Sequence, residues 1–327
     1  MSATVGDVVR TPPAWRTLFR DRPIIPLIVL LVVLVGIIQL AQPGIVGPSW
    51  AGYILRQAVP LAILAGCQTL VMLTAGIDLS VGAVASMTGF VVATLVSSQG
   101  LPIAIGVALL AAALAGLITG IGVGVFKVHS LIMTLGMGLV VLGFANVWQL
   151  VMVQTGSGVP PALRSIGSGT FLGIIPLSLL VYIPLALLIL FGLRRTGFGR
   201  LLYAIGDNPV AARLSGAREW RVLTVLYIIS AVLAGIAGLL ISGLTNTASV
   251  TLADSLVLPS VAAAVVGGTS ILGGRGGYGG TIVGALILTV LAALLAILGL
   301  PEPTRQILYG SIIVLVAAAY TRVTAES

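Results

Sequence analysis

Long apolar runs, separated by short polar stretches, make up most of this chain. The first run extends from Ile24 to Ala41, and runs of similar length follow it to the end. The pattern predicts an all-α integral membrane protein with about ten transmembrane helices, because a helix that crosses a bilayer needs roughly 20 apolar residues. After the first, the predicted spans cover residues 50–75, 80–97, 102–126, 130–153, 172–192, 222–244, 254–271, 277–298 and 304–320.

One long polar stretch, residues 194–221, interrupts these runs. Its charged residues are Arg194, Arg195, Arg200, Asp207, Arg213, Arg218, Glu219 and Arg221. Such an excess of arginine is typical of a cytoplasmic loop. Asp207-Asn208-Pro209 predicts a helix start, because a side-chain oxygen can accept from free backbone N–H groups and proline needs no N–H there. A short helix is predicted from Ala211 to Ser215, ending at Gly216. It either docks into a groove of a soluble partner or is an ordinary solvated connection.

The distribution of basic residues orients the predicted spans. If the N-terminus lies inside, every basic residue except Arg56, Arg164 and Arg305 falls on the cytoplasmic side. Arg56 falls near the outer end of the second span, where a long side chain can reach the interface. Because cytoplasmic loops are rich in Lys and Arg, both termini are predicted to be cytoplasmic. The predicted organisation is a cytoplasmic tail (1–22), a transmembrane domain (23–320) that includes the loop 194–221, and a second cytoplasmic tail (321–327).

Composition excludes several classes of protein. Hydrophobic residues make up 58% of the chain and charged residues 7%. A soluble globular protein of this composition would expose too much apolar surface to water. The net charge of +8 is attributed to topology and contact with anionic lipids, because no basic patch interleaved with aromatic residues points to nucleic acid. One cysteine, Cys67, and one histidine, His129, exclude an internal disulfide and a His/Cys metal cluster. No metal site is predicted.

Two glycine triplets predict close contacts between helices. In each triplet the glycines are four residues apart, a spacing that lets two helix backbones approach closely. Chance among 42 glycines explains a single such pair more easily than two triplets. The predicted packing residues are Gly116, Gly120 and Gly124 in one triplet and Gly276, Gly280 and Gly284 in the other.

No catalytic group or nucleotide site is predicted. The stretch 274–279 fits GxGxxG, but it lacks the preceding strand and the later acidic residue of a dinucleotide site. The sole lysine, Lys127, is not part of a phosphate-binding Gly-Lys-Ser/Thr sequence. Asp78 and Asp254 fall at the ends of predicted spans and are expected to be helix N-caps, although coupling to protons or sodium is the alternative.

Uncharged polar residues within the spans allow two interpretations. They either line a path for a hydroxyl-rich solute or form hydrogen bonds between helices. The residues are Gln68, Thr69, Asn146, Gln149 and Asn246.

Three motifs stand in order along the chain: AGIDLSVG (75–82), YAIGDN with AARLSG (203–216) and VGGTSILGGRG (266–276). They resemble the permease subunits of ribose-type bacterial ABC sugar importers, and the similarity runs nearly end to end. The resemblance implies a multi-pass protein of the bacterial cytoplasmic membrane that is not itself an enzyme. The implied partners are a second permease copy or a paralogue, ATPase subunits that carry ATP and magnesium, and an extracytoplasmic sugar-binding protein. No cofactor is expected on this chain.

In that family the long cytoplasmic loop is the coupling helix, which contacts the ATPase. Val210 stands where many importers have glutamate, so the polar contacts offered to the ATPase stay open. The residues to which the resemblance assigns coupling are Asp207, Asn208, Ala211, Ala212, Arg213, Leu214 and Gly216.

The function implied by the resemblance is import of a monosaccharide, a pentose or a hexose, by alternating access. The alternative is an ion-coupled secondary transporter of a small polar solute, which would be recognised by uptake that depends on pH or sodium and not on ATP. A membrane-embedded enzyme is the third interpretation, and the sequence has no catalytic constellation to support it.

Overall fold

The computed structural model describes residues 24–152 and 158–325, and most of them are helical. The helices are α1 (Ile24–Ala41), α2 (Pro48–Met72), α3 (Val81–Gln99), α4 (Leu101–Gly124), α5 (Ser130–Met152), α6 (Pro161–Ser168), α7 (Leu179–Arg195), α8 (Gly197–Asp207), α9 (Pro209–Leu214), α10 (Glu219–Thr245), α11 (Val257–Val266), α12 (Tyr278–Ile297) and α13 (Glu302–Ala325). A 3-10 helix (Asp254–Leu256) precedes α11. Two short strands, β1 (Thr170–Phe171) and β2 (Ile175–Pro176), form an antiparallel hairpin with Thr170 opposite Pro176. The all-α class is confirmed.

Seven helices in the described part of the chain are long and apolar enough to cross a membrane: α1, α2, α3, α4, α5, α10 and α12. Helices α7 and α8 qualify together, but a bend of 67° separates them, so they add at most one span. Helix α11 has 10 residues, about 15 Å of helix, where a full span was predicted at 254–271. The number of about ten spans, each of roughly 20 apolar residues, and the cytoplasmic position of both termini stay predictions.

Some predicted boundaries differ from those of the structure. The span predicted at 172–192 begins only at Leu179, because the preceding residues form the β1–β2 hairpin. Helix α13 continues to Ala325, so the tail predicted at 321–327 is largely helical. The predicted tail 1–22 and residue 153, the end of the fifth predicted span, lie outside the described residues.

Helix α10 lies at the centre of the molecule and packs against α2, α3, α4 and α6. Helix α12 packs against α1, α2 and α11, so α2 contributes to both groups of helices. Helix α1 lies at the periphery, with Ile38 as its buried residue. The central position of α10 matters for function, because the long polar loop 194–221 leads directly into it.

The first glycine triplet lies where α4 crosses α10. A Cβ atom added to Gly120 would lie 2.5 Å from the Cα of Thr224, and one on Gly124 would lie 2.8 Å from the carbonyl oxygen of Trp220. Gly116 meets the next turn of α10 in the same way. The two helices run antiparallel with their backbones almost in contact, as the four-residue spacing predicts.

The second triplet divides between two roles. Gly280 and Gly284 lie on α12 and approach the backbone of α11 and of Gly267, which follows it. Gly276 precedes α12 instead and has a φ of +122°, where a side chain would also lie 2.5 Å from the Cα of Thr269. Gly276 is therefore required by the conformation of a turn, in addition to the close approach.

Candidate functional site

Helix α9 lies in the long polar loop 194–221, where the sequence predicted a short helix. The side-chain oxygen of Asn208 accepts hydrogen bonds from the backbone N–H groups of Val210 (3.0 Å) and Ala211 (2.9 Å). Pro209 occupies the first helical position, where no N–H is needed. Asp207 is the last residue of α8, so Asn208 alone supplies the cap.

The other end of α9 is closed by Gly216. This glycine has a φ of +86°, a conformation that favours glycine. Its N–H donates to the carbonyl of Arg213 (2.9 Å), and the N–H of Ala217 donates to the carbonyl of Ala212 (3.1 Å). This pair of bonds is the Schellman arrangement, which ends a helix abruptly. Both ends of α9 are thus fixed by its own sequence.

Two apolar side chains of α9 face away from the rest of the protein. Val210 is 54% exposed and Leu214 is 84% exposed. They are four residues apart, so they lie side by side on one face. Ala212 lies on the opposite face and is buried. Helix α9 therefore presents an apolar surface outward and rests on the body through a small residue.

The loop that carries α9 touches two places where the helix core is interrupted. One is the non-helical segment 73–80, between α2 and α3, and the other is the glycine-rich segment 267–277, between α11 and α12. The two segments are joined to each other, because the N–H of Gly274 donates to the carbonyl of Leu73 at 3.0 Å.

Helix α8 completes this junction. The hydroxyl of Tyr203 donates to the carbonyl of Gly276 at 2.9 Å. A Cβ atom on Gly206 would collide with the carbonyl of Leu73 and would lie 2.5 Å from the nitrogen of Gly274. Gly273 lies against both Gly206 and Ala75, so parts of all three sequence motifs meet within one small region at the base of α9. Sequence spacing gave no sign of this convergence.

Asp78, in the non-helical segment 73–80, is buried inside the protein. It is 2% exposed, and one carboxylate oxygen accepts from the N–H (3.0 Å) and the hydroxyl (2.6 Å) of Ser80. The other oxygen accepts from the hydroxyl of Ser230 at 2.8 Å. The Gln68 carboxamide bonds the backbone of Asp78 on both its N–H and its carbonyl. Because Ser230 is near the middle of α10, Asp78 lies roughly 16 Å along that helix from its start.

The expectation that the two aspartates are helix caps is wrong. Helix α3 starts at Val81 after Ser80, which forms no side-chain cap, and Asp78 is instead bonded in the interior. Asp254 is exposed at the start of the 3-10 helix and does not cap it either. The non-helical segment 73–80 explains the difference, because the chain turns inside the helix core there and Asp78 is buried with it.

The five polar residues considered for a solute path lie in separate places. Gln68 holds the backbone of Asp78, and the hydroxyl of Thr69 lies 2.6 Å from that of Thr281 on α12, so both form contacts between elements. Asn146 and Gln149 lie on the exposed part of α5, where Asn146 donates to a carbonyl of its own helix. Asn246 is exposed just after α10 and has a φ of +56°.

Comparison with known proteins gives the family. The family described as the permease component of the branched-chain amino acid transport system matches residues 50–317. The chain belongs to this permease family. No solved structure matches it.

Several curated proteins are similar to this permease over most of its length. The fructose import permease of Rhizobium meliloti is 32% identical over 301 residues, which cover 90% of this chain and 84% of that protein. The ribose import permease of Haemophilus influenzae is 35% identical over 293 residues, 88% of this chain and 90% of that protein. A probable ABC transporter permease of Escherichia coli is 33% identical over 309 residues, 93% and 91% of the two chains.

These matches confirm the resemblance to permease subunits of ribose-type importers. The permease is therefore a transport subunit and a multi-pass protein of the bacterial cytoplasmic membrane.

Proposed function

We propose that this permease moves a monosaccharide, a pentose or a hexose, from an extracytoplasmic binding protein into the cytoplasm by ATP-driven alternating access. The ribose and fructose permeases that align with 88% and 90% of the chain support a sugar as the substrate. The family description names branched-chain amino acids instead. We give the aligned relatives more weight, because their match covers nearly the whole chain and their names agree on sugars.

The energy for transport comes from a separate ATPase subunit that binds ATP and magnesium. Helix α9 is the proposed contact with that subunit, and its exposed Val210 and Leu214 enter an apolar groove of the ATPase. Burial of these side chains would favour docking, since each apolar side chain removed from water contributes about 2 kcal/mol. The caps at Asn208 and Gly216 keep α9 helical while the ATPase moves it.

Movement of α9 would reach the membrane helices by two routes. The chain itself joins α9 to the central helix α10 through residues 215–218. The base of the loop also touches the interrupted segments 73–80 and 267–277 through Gly206 and Tyr203. Rigid-body tilting of helices around such a junction opens a path on alternate sides of the membrane. The single observation that carries this proposal is the capped, outward-facing apolar surface of α9.

Two permease copies, or one copy and a paralogue, would enclose the path. Asn146 and Gln149 are the candidates to line it, because they are exposed on α5 beside its apolar surface. Gln68 and Thr69 are less suited, since their polar atoms already bond other parts of the core.

The test of this function is reconstitution in proteoliposomes with an ATPase subunit and a sugar-binding protein from the same organism. Uptake of labelled ribose or fructose should require ATP and the binding protein, and labelled leucine should not enter. Uptake driven by a proton or sodium gradient without ATP would instead establish the ion-coupled alternative.

A further inference from the structure

Glu219, the first residue of α10, forms two ion pairs. One carboxylate oxygen lies 3.0 Å from the Nζ atom of Lys127, and the other lies 2.9 Å from a guanidinium nitrogen of Arg213. The Glu219 side chain is only 14% exposed, whereas the two cations are about half exposed. Exposed ion pairs contribute little, but a shielded carboxylate with a charge-assisted bond on each oxygen is held firmly.

The two ion pairs connect three elements of the cytoplasmic side. Arg213 belongs to α9, Glu219 begins α10, and Lys127 lies in the connection between α4 and α5. Lys127 has a φ of +57°, a left-handed conformation that is uncommon for residues with a side chain. Through Glu219, α9 is tied to a part of the protein that the chain itself does not join to it.

A cavity of about 240 Å³ lies directly behind these ion pairs. It is lined by Gly206 and Pro209, at the base of α9, and by Tyr227 of α10. Lys127 and Glu219 line this cavity and also the open groove on the outer side, beside Arg213. Because this space beside Pro209 is not filled by side chains, it leaves room for α9 to shift.

We propose that Glu219 is a positioning residue that fixes α9 to the α4–α5 connection, so that movement of α9 carries α4 and α5 with it. The proposal rests on the function proposed above, in which α9 receives the movement of the ATPase. Without the two ion pairs, α9 moves into the adjacent cavity alone. ATP is then hydrolysed with little import.

A distance measurement on the permease alone tests directly whether Glu219 fixes α9 to the α4–α5 connection. Spin labels are attached to cysteines introduced as Val210→Cys and Phe126→Cys, at positions that are 54% and 74% exposed. The distance between the labels reports the separation of α9 from the α4–α5 connection. The full-length permease with Cys67→Ala should give a narrow distance distribution in liposomes, and Glu219→Gln should give a broad one. Asp254→Asn removes an exposed carboxylate elsewhere and should leave it narrow. An equally narrow distribution for Glu219→Gln would overturn the proposal.

In the reconstituted importer, we expect the variants at the two ion pairs to weaken the coupling between ATP hydrolysis and sugar import. Glu219→Gln should raise the ATP consumed per imported sugar about tenfold, the size expected for the loss of hydrogen bonds to a charged group. Lys127→Met and Arg213→Met should each have a smaller effect, and neither should add to Glu219→Gln, because all three act through one carboxylate. Asp254→Asn should couple as the unmodified permease does.

The two proposals fail in different ways. If the unmodified permease takes up no sugar with ATP, the proposed function is wrong, and the distance measurement still decides whether Glu219 holds α9. If the unmodified permease couples normally and Glu219→Gln couples equally well, the positioning role is wrong although the function stands.

Discussion

The carboxylate of Asp78 joins parts of the core that are far apart in the sequence. It bonds Ser80 beside it and Ser230 on α10, while Gln68 of α2 holds its backbone. A buried polar group without a partner costs several kcal/mol, so each of these bonds matters for folding. Asp78 therefore fixes the non-helical segment 73–80 at the middle of the central helix.

Asp78→Ala should destabilise the permease by about 3 kcal/mol, because Ser80 and Ser230 lose their acceptor inside the core. Thermal unfolding of the purified protein measures the effect. Asp254→Ala is the matched control, since Asp254 is exposed, and it should unfold near the temperature of the unmodified protein. Equal unfolding temperatures for the two variants would contradict the interior role of Asp78.

The contact between α4 and α10 depends on backbones that almost touch. Gly120→Leu should separate the two helices and cost about 3 kcal/mol or prevent assembly, because a larger side chain has no space there. Gly106→Leu, on the same helix, meets nothing within 4 Å and should be tolerated. Thermal unfolding and yield in the membrane distinguish them. If both variants were as stable as the unmodified protein, Gly120 would not be a packing residue.

Elements with a strong local signal were predictable from the sequence. Apolar runs placed the long helices, and the Asn208, Pro209 and Gly216 signals placed α9. The break between α2 and α3 was also predicted, because the predicted spans end at residue 75 and begin again at residue 80. The burial of this connection inside the helix core was not predictable, because hydropathy marks where a span ends and not where the connection to the next span lies. The burial of Asp78 was missed for the same reason. The three motifs were visible, but their meeting at Gly206 depends on contacts between distant segments.

The arrangement of the whole molecule in the membrane depends on charge. In the predicted orientation Ser168 faces outward and Ser215 faces the cytoplasm, and both side chains are exposed. With Cys67→Ala, a cysteine at Ser168→Cys should react with an impermeant thiol reagent added outside intact cells, and one at Ser215→Cys should not. In inverted vesicles the pattern should be opposite. Reversed labelling would overturn the model with both termini in the cytoplasm.

The central claim is that α9 passes the ATPase cycle to the membrane helices. Leu214 is 84% exposed in the permease alone, and its proposed place is an apolar groove of the ATPase. Leu214→Asp would bury an unpaired charge there, which costs several kcal/mol. Leu214→Met keeps the volume and apolar character and is the matched control. Gly216→Val is a second variant, because it strains the left-handed end of α9.

The decisive measurement compares sugar uptake and sugar-stimulated ATP hydrolysis for these variants in proteoliposomes, at equal amounts of membrane-inserted permease. The expected result is that Leu214→Asp and Gly216→Val lose both activities together, by at least about tenfold for the charged variant, while Leu214→Met keeps them. Wild-type uptake and ATPase stimulation with Leu214→Asp would show that α9 is not the coupling element.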